Sequence, residues 1–241
     1  MQIHLYDTPA QVGRAAAIMI ASQVILKPES VLGFATGSSP IPTYRELIAW
    51  HKEGVLDLSR AVTFNLDEYV GIPTTHPASY HTFMEEQLFS QVNVRRENIH
   101  IPDGSVRNLQ RECSDYDTAI SRAGGIDLQL LGIGRNGHIG FNEPHEQFVY
   151  GCHVVNLTES TIEANRRFFG PGEDVPRQAI SLGVGSIMNS RRIVLVATGA
   201  DKAQAIRSAI REDVNPQVQA SILRTHRDVV LLLDRAAAGL L

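Results

Sequence analysis

Five short apolar runs constrain this chain more than any other feature: residues 31–35 (VLGFA), 62–66 (VTFNL), 126–131 (IDLQLL), 193–197 (IVLVA) and 229–233 (VVLLL). VLGFA, IVLVA and VVLLL show no alternation of apolar with polar residues, and the runs are expected to be strands covered on both faces. Stretches with helical spacing separate them, at 42–50, 79–89, 109–123, 158–168 and 200–210. That alternation demands crossover connections, hence an α/β fold with a mostly parallel sheet flanked by helices. Shorter strands are expected at 3–5, 99–101 and 152–157. With no internal repeat, charge block or Gly/Ser linker, the chain reads as one domain over 1–241.

Composition removes several classes of function. Lys+Arg total 22 against 26 Asp+Glu, a formal net charge of −4, so there is no basic excess and no nucleic-acid partner is expected. The apolar run 15–26 (AAAIMIASQVIL) is shorter than the roughly 20 residues of a membrane span. Asp7 precedes it and Lys27-Pro28-Glu29 stands where a signal peptide would be cleaved, so a buried core helix is expected and no membrane partner. Cys113 and Cys152 are far apart and form no CxxC motif, which fits a reduced, cytoplasmic setting.

In open parallel sheets, ligands bind outside the carboxyl ends of the strands. Those ends carry Thr36-Gly37-Ser38-Ser39, Asn65-Leu66-Asp67-Glu68, GIGRNGH (132–138) and TGADK (198–202). The first precedes a helix, so its N–H groups, hydroxyls and the helix dipole could cradle an anion. It could equally be an ordinary turn with Ser39 as N-cap and Pro40 at the first helical position. GxxxxGK[ST] is absent, which excludes a nucleotide P-loop. Gly132, Gly134 and Gly137 match the dinucleotide fingerprint GxGxxG, with Glu159 as its acidic residue further on. Gly140, Asn142 and Pro144, however, read as loop where that fingerprint needs a helix.

Asp67 ends an apolar strand, where partial burial would raise a carboxyl toward a working base; capping a turn or pairing with a lysine is the alternative. His138 sits among glycines with Glu143 following at i+5, close enough to orient an imidazole for acid/base work. A loop histidine that is merely solvated is the bland alternative. His138, His145 and His153 lack zinc-site spacing, and His145-Glu146 lacks the second His of HExxH, so no metal is expected. Arg166, Arg167 and Lys202 are the cations best placed to neutralise a bound phosphate. The irregular stretch 132–176 is expected to form a binding loop or lid.

Four stretches in order, GFATGSSPIPTY (33–44), TFNLDEYVGI (63–72), LGIGRNGHIGFNEP (131–144) and NRRFF (165–169), closely resemble the glucosamine-6-phosphate deaminase (isomerase) family in its short bacterial-type branch. SYHTFMEEQLF (79–89) and GADKA (199–203) extend the likeness over most of the chain. The resemblance implies a Rossmann-like fold with a mobile lid at about 145–170. It also implies a hydrolase/isomerase that turns glucosamine 6-phosphate into fructose 6-phosphate and ammonia, in N-acetylglucosamine catabolism, without a cofactor. By the same resemblance, His138 assists opening of the pyranose ring, Glu143 orients its imidazole, and Asp67 takes the proton from C2 and returns it at C1. Thr36, Gly37, Ser38 and Ser39 would lie against the phosphate, with Lys202 and, on lid closure, Arg167 supplying charge. The implied partner is that small-molecule substrate, bound by a monomer or homo-oligomer.

The chain departs from the family pattern in places. Position 136 is Asn where some members have Asp, so Asn136 can orient His138 or bind substrate but cannot share a proton. Ser38-Ser39 stand where others carry Gly and Thr, which keeps hydroxyl and backbone donors. The two basic residues that bind an activator in regulated members align with His153 and Val155, so neither activation nor a hexamer is expected. A 6-phosphogluconolactonase-like hydrolase would share the glycine-histidine turn but not Phe141-Asn142-Glu143-Pro144. A non-catalytic sugar-phosphate sensor would need a DNA-binding helix-turn-helix, for which no basic N-terminal extension is seen.

Overall fold

In the computed structural model, which describes residues 1–241, every expected apolar run forms a strand. Along the chain the strands are β1 (Gln2–Tyr6), β2 (Val31–Phe34), β3 (Val62–Asn65), β4 (Asp67–Tyr69), β5 (Ile99–His100), β6 (Leu128–Leu131), β7 (His153–Asn156), β8 (Gln178–Ser181), β9 (Arg192–Ala197) and β10 (Val229–Asp234). The helices are α1 (Pro9–Leu26), α2 (Ile41–Lys52), α3 (Tyr80–Gln87), α4 (Leu109–Arg122), α5 (Glu159–Asn165), α6 (Val184–Met188) and α7 (Ala203–Arg211).

The main sheet has seven parallel strands in the order β1-β10-β9-β6-β2-β3-β5. Successive residues of the apolar runs feed two cores, as a strand covered on both faces requires. Val194 and Val196 of β9 pack with α1, α2 and α3, whereas Ile193, Leu195 and Ala197 pack with α4 and α7. The chain runs outward from β2 to β3 and β5, then returns to place β6 on the other side of β2. The order therefore reverses between β2 and β6, and the carboxyl ends of those two strands open a crevice.

Helix α1 is longer than its apolar run suggests. Thr8 and Gln11 form a capping box, with Gln11 N–H donating to Thr8 Oγ1 at 3.2 Å and Pro9 at the first turn. At 18 residues it is long and apolar enough, by length and composition, to cross a bilayer. The fold uses it otherwise: Val12, Ala16, Ile20 and Val24 are buried against the sheet and α2. The expectation of a buried helix holds for that face alone, since Ile18, Ile25 and Leu26 are exposed.

A second sheet was not legible beforehand. Strands β4, β8 and β7 pair antiparallel, with Ser181 opposite both Asp67 and His153. Tyr69, Phe141, Leu157, Ile162, Val175 and Ala179 form a small core beneath it. Because β4 begins two residues after β3 ends, this sheet holds the segment that leaves the main sheet at Asp67.

Candidate active site

The crevice between the carboxyl ends of β2 and β6 widens into a cleft of about 840 Å3. Thr36, Gly37, Ser38, Ser39, Asp67, Asn136, His138, Arg167 and Lys202 all line it, and Glu143 stands behind His138. These expected site residues therefore converge on one place, while Arg166, the other cation the sequence offered, does not line it.

Asp67 is 5% exposed and its carboxylate accepts no hydrogen bond from the protein. Burial first, and then the neighbouring Glu68 charge, push its pKa up to about 8. It neither caps a turn nor pairs with a lysine. Gly140, with φ of 59°, keeps the space beside it open: a Cβ there would lie 3.0 Å from Ser181 Oγ and 3.5 Å from Asp67 Oδ2. Ser181 Oγ accepts from Phe141 N–H at 3.0 Å, and the Asn142 amide donates to the carbonyls of Ile139 and Leu182 at 2.8 Å each. The small sheet thus fixes both Asp67 and the turn at 139–143.

Glu143 is equally buried but richly partnered. Asn136 Nδ2 donates to its Oε2 at 2.7 Å, Thr158 N–H donates to Oε1 at 3.3 Å, and His138 Nδ1 lies 3.4 Å from Oε2. Burial alone would raise this carboxyl, but His138, Thr161 and Asn136 outweigh it and hold the pKa near about 2. The Asn136 side chain also accepts from His138 N–H at 3.2 Å, so it braces both partners. Gly134 is required by contact, since a Cβ there would sit 2.3 Å from His138 Cε1.

At the opposite wall, α2 begins at Ile41 with Pro40 as its cap residue and no side-chain cap bond. Ser39 is therefore not the N-cap of this helix, because Pro40 already takes helical angles and shifts the cap beyond it. The first-turn N–H groups are left free of a side-chain acceptor beside Thr36–Ser39. Lys202 is held below the ordinary lysine pKa by burial and by the charges of Arg135 and Arg167, against Asp201. Arg167 lies over the Phe168 ring at 4.7 Å, whereas Arg166 pairs with Glu163 at 3.2 Å and does not itself line the cleft.

Other sequence signals resolve as structure. No helix follows Gly137, which has φ of 84° in a turn, and Glu159 pairs with Arg177 at 2.8 Å, so the dinucleotide fingerprint is not realised. His51, His81 and His226 each contact a backbone carbonyl through a ring nitrogen. No group of three or more His, Cys, Asp or Glu side chains is arranged to hold a metal ion. Of the stretch 145–170, the cleft-facing part is residues within 160–168; the earlier part is tied down by His145 N–H to Pro216 O at 3.2 Å and Cys152 N–H to Asp117 at 2.8 Å.

Sequence reasoning missed Tyr80, Thr161 and the Arg135–Asp201 pair, 3.0 Å apart, in the cleft wall. Arg135 and Asp201 stood in strand-end junctions, a signal that could have found them. Asp234 was missed as well; its carboxylate accepts from Gly199 N–H at 3.0 Å and so shapes the turn that carries Lys202.

The family model described as glucosamine-6-phosphate isomerases/6-phosphogluconolactonase matches residues 9–231. The chain belongs to this family. Within it, a glucosamine-6-phosphate deaminase of Halothermothrix orenii is 51% identical over the whole of both chains. One from Clostridioides difficile is 50% identical over 94% of this chain and 91% of its own. A solved structure described as a monomeric glucosamine-6-phosphate deaminase is 40% identical, covers 100% of both chains and superposes with a TM-score of 0.97. The 6-phosphogluconolactonase of Trypanosoma brucei, at 20% identity and a TM-score of 0.79, shares the fold over 99% of this chain and 97% of its own. These relatives at about half identity are named deaminases, which gives the hydrolase label no support.

Proposed function

We propose that this chain converts glucosamine 6-phosphate and water to fructose 6-phosphate and ammonia. What carries the reading is one cleft with two carboxylates of opposite character: Asp67 without a donor, and Glu143 set against His138. Full-length relatives at about half identity that bear the deaminase name support it.

A C2 hydrogen becomes acidic only once C1 is a free aldehyde, so ring opening must come first. In this reading His138 takes the proton of the O1 hydroxyl and delivers it to the ring oxygen, while Glu143 and Asn136 hold the imidazole in place. Asp67 then takes the C2 proton and the electron pair moves into the C1 carbonyl, giving an enolamine. Return of that proton to C1 leaves C2 as an iminium beside the O1 alkoxide; water then adds at C2, one of its protons passing to O1 and the other to the nitrogen, which leaves as ammonia as the C2 carbonyl forms. Thr36, Gly37, Ser38, Ser39, Arg167 and Lys202 hold the phosphate, so binding energy from a remote group orients C2 against Asp67.

We also read the chain as one domain whose lid, about 145–170, brings Arg167 in on closure; the cleft-facing position of α5 and the turn after it supports this. A monomer is supported by the relative described as monomeric. A cytoplasmic setting fits two free, buried cysteines, and a place in N-acetylglucosamine catabolism goes with the proposed substrate. The test is incubation with glucosamine 6-phosphate while ammonia and fructose 6-phosphate are followed together. Equal appearance of both is expected; tight binding without turnover would favour a sensor, and neither would send the search to the lactone.

A further inference from the structure

Glu68, next to Asp67, is 1% exposed and lines no part of the cleft. Its carboxylate is nevertheless the most heavily partnered acid near the site. It accepts from Ser79 Oγ at 2.6 Å and from the N–H groups of Tyr69, Tyr80 and His81 at 2.7, 3.1 and 3.2 Å. Three of these donors belong to the start of α3, the helix that carries Tyr80 into the cleft wall. There Tyr80 stacks on Phe141, with ring centres 5.9 Å apart, in the turn that also bears His138 and Glu143.

Capping alone does not explain a buried carboxylate here. Ser79 already caps α3, accepting from His81 N–H at 3.1 Å. Burying a charge costs more than burying a hydroxyl, so a second cap of this kind adds little that Ser79 does not supply. What the carboxylate does supply is a fixed negative charge one residue from an acid that has no donor of its own.

We propose, taking Asp67 as the C2 base assigned above, that Glu68 is a positioning residue: it locks α3 and Tyr80 onto the cleft wall and sets the basicity of Asp67 by its charge. The other groups that face Asp67 are Tyr69 on β4, Tyr44 from α2, Tyr80 from α3 and Tyr116 from α4. Burial raises all four phenols, so they stay neutral where the enzyme works. His138 lines the cleft with Glu143 behind it, and neither is among the causes that raise Asp67. Glu68 is thus the charge that acts on it. Burial raises Glu68 as well, and its donors work the other way: each of its two oxygens accepts two hydrogen bonds, the arrangement that suits the anion rather than the acid.

The test is the pH profile of kcat/KM in Glu68→Gln and Glu68→Asp, beside Asp67→Asn. Glu68→Gln is expected to move the acid limb down by about half a unit or more and to lower the plateau, because a base with a lower pKa abstracts less well. Glu68→Asp, which keeps the charge, is expected to keep the limb near its original pH even if kcat falls. An unmoved limb in Glu68→Gln, with activity lost equally at every pH, would reduce Glu68 to a structural cap and overturn the proposal. Retention of C2 hydrogen exchange in Asp67→Asn would instead overturn the assignment of the base. Should Glu68→Gln not fold, infrared titration of the carboxylates in the unaltered protein decides: Glu68 ionising below Asp67 supports the proposal, and the reverse order ends it.

Discussion

Asp67 and Glu143 are both carboxylates of one cleft, 5% and 6% exposed, yet their surroundings push them to about 8 and about 2. Burial is common to both and raises both. The difference lies in partners: Glu143 has Asn136, Thr158 and His138 around it, whereas Asp67 has no donor and a like charge beside it. In the proposed reaction these two identical functional groups take two tasks, one to accept a proton from carbon and the other to remain an anion beside an imidazole. Burial alone does not set what a carboxylate does; the donors that accompany it decide.

The contrast is broken most severely at Asp67. Asp67→Asn is expected to lower kcat about 10^3-fold while phosphosugar binding persists, since general base catalysis is worth roughly 10^2 to 10^4. Exchange of the C2 hydrogen in deuterated water measures it directly, and exchange at the normal rate would remove Asp67 as the base. On the other side, His138→Gln and Glu143→Gln should each cost about 10^2-fold with the ring-closed substrate and clearly less with an open-chain analogue. Equal losses on both substrates would end the ring-opening role.

A smaller effect belongs to the anion-binding wall. Arg167→Ala and Lys202→Ala are each expected to raise KM about tenfold with a lesser change in kcat, as loss of a remote anchor should. A fall in kcat at constant KM would place these cations nearer the chemistry than the phosphate.

The smallest effect sharpens the comparison through stability. The folded pKa of Asp67 lies above its unfolded value, so its contribution is fully present below about pH 4 and is lost as pH rises through about 8. Asp67→Asn should accordingly raise Tm by roughly 3 °C or more at pH 9, with the gain vanishing near pH 4. Glu143 is the mirror case: its folded pKa is depressed, so its contribution is present above the unfolded value and lost as pH falls through about 2. Glu143→Gln should lower Tm at neutral pH, and the difference should close in acid. Parallel pH dependence in the two variants, followed by calorimetry, would contradict the opposed environments.

Much of the fold was legible because it rests on periodicity. The runs at 31–35, 62–66, 126–131, 193–197 and 229–233 all contain strands, since short stretches this rich in apolar residues are satisfied in a sheet covered on both faces. Strands β4 and β8 were invisible for the converse reason: Asp67-Glu68-Tyr69 and Gln178-Ala179-Ile180-Ser181 are short and mixed, and they are strands because each finds the other. Ser39 illustrates the same limit, because its apparent cap position depended on where α2 would start. Arg166 and Arg167 are adjacent in sequence, yet only Arg167 lines the cleft, a choice made by the turn that carries them.

The sequence by itself determined the layered parallel sheet, the strand ends that would converge and the candidates for acid/base work, because those follow from local pattern and from motif. Only the tertiary structure decided that Asp67 has no donor, that Glu143 has several, and that Glu68 is bound to α3 rather than to solvent. Those outcomes depend on segments far apart in the chain, 136 against 143 and 158, or 68 against 79, and on the low-dielectric surroundings they create together. A motif names the carboxylate; its charge state is a property of what folds around it.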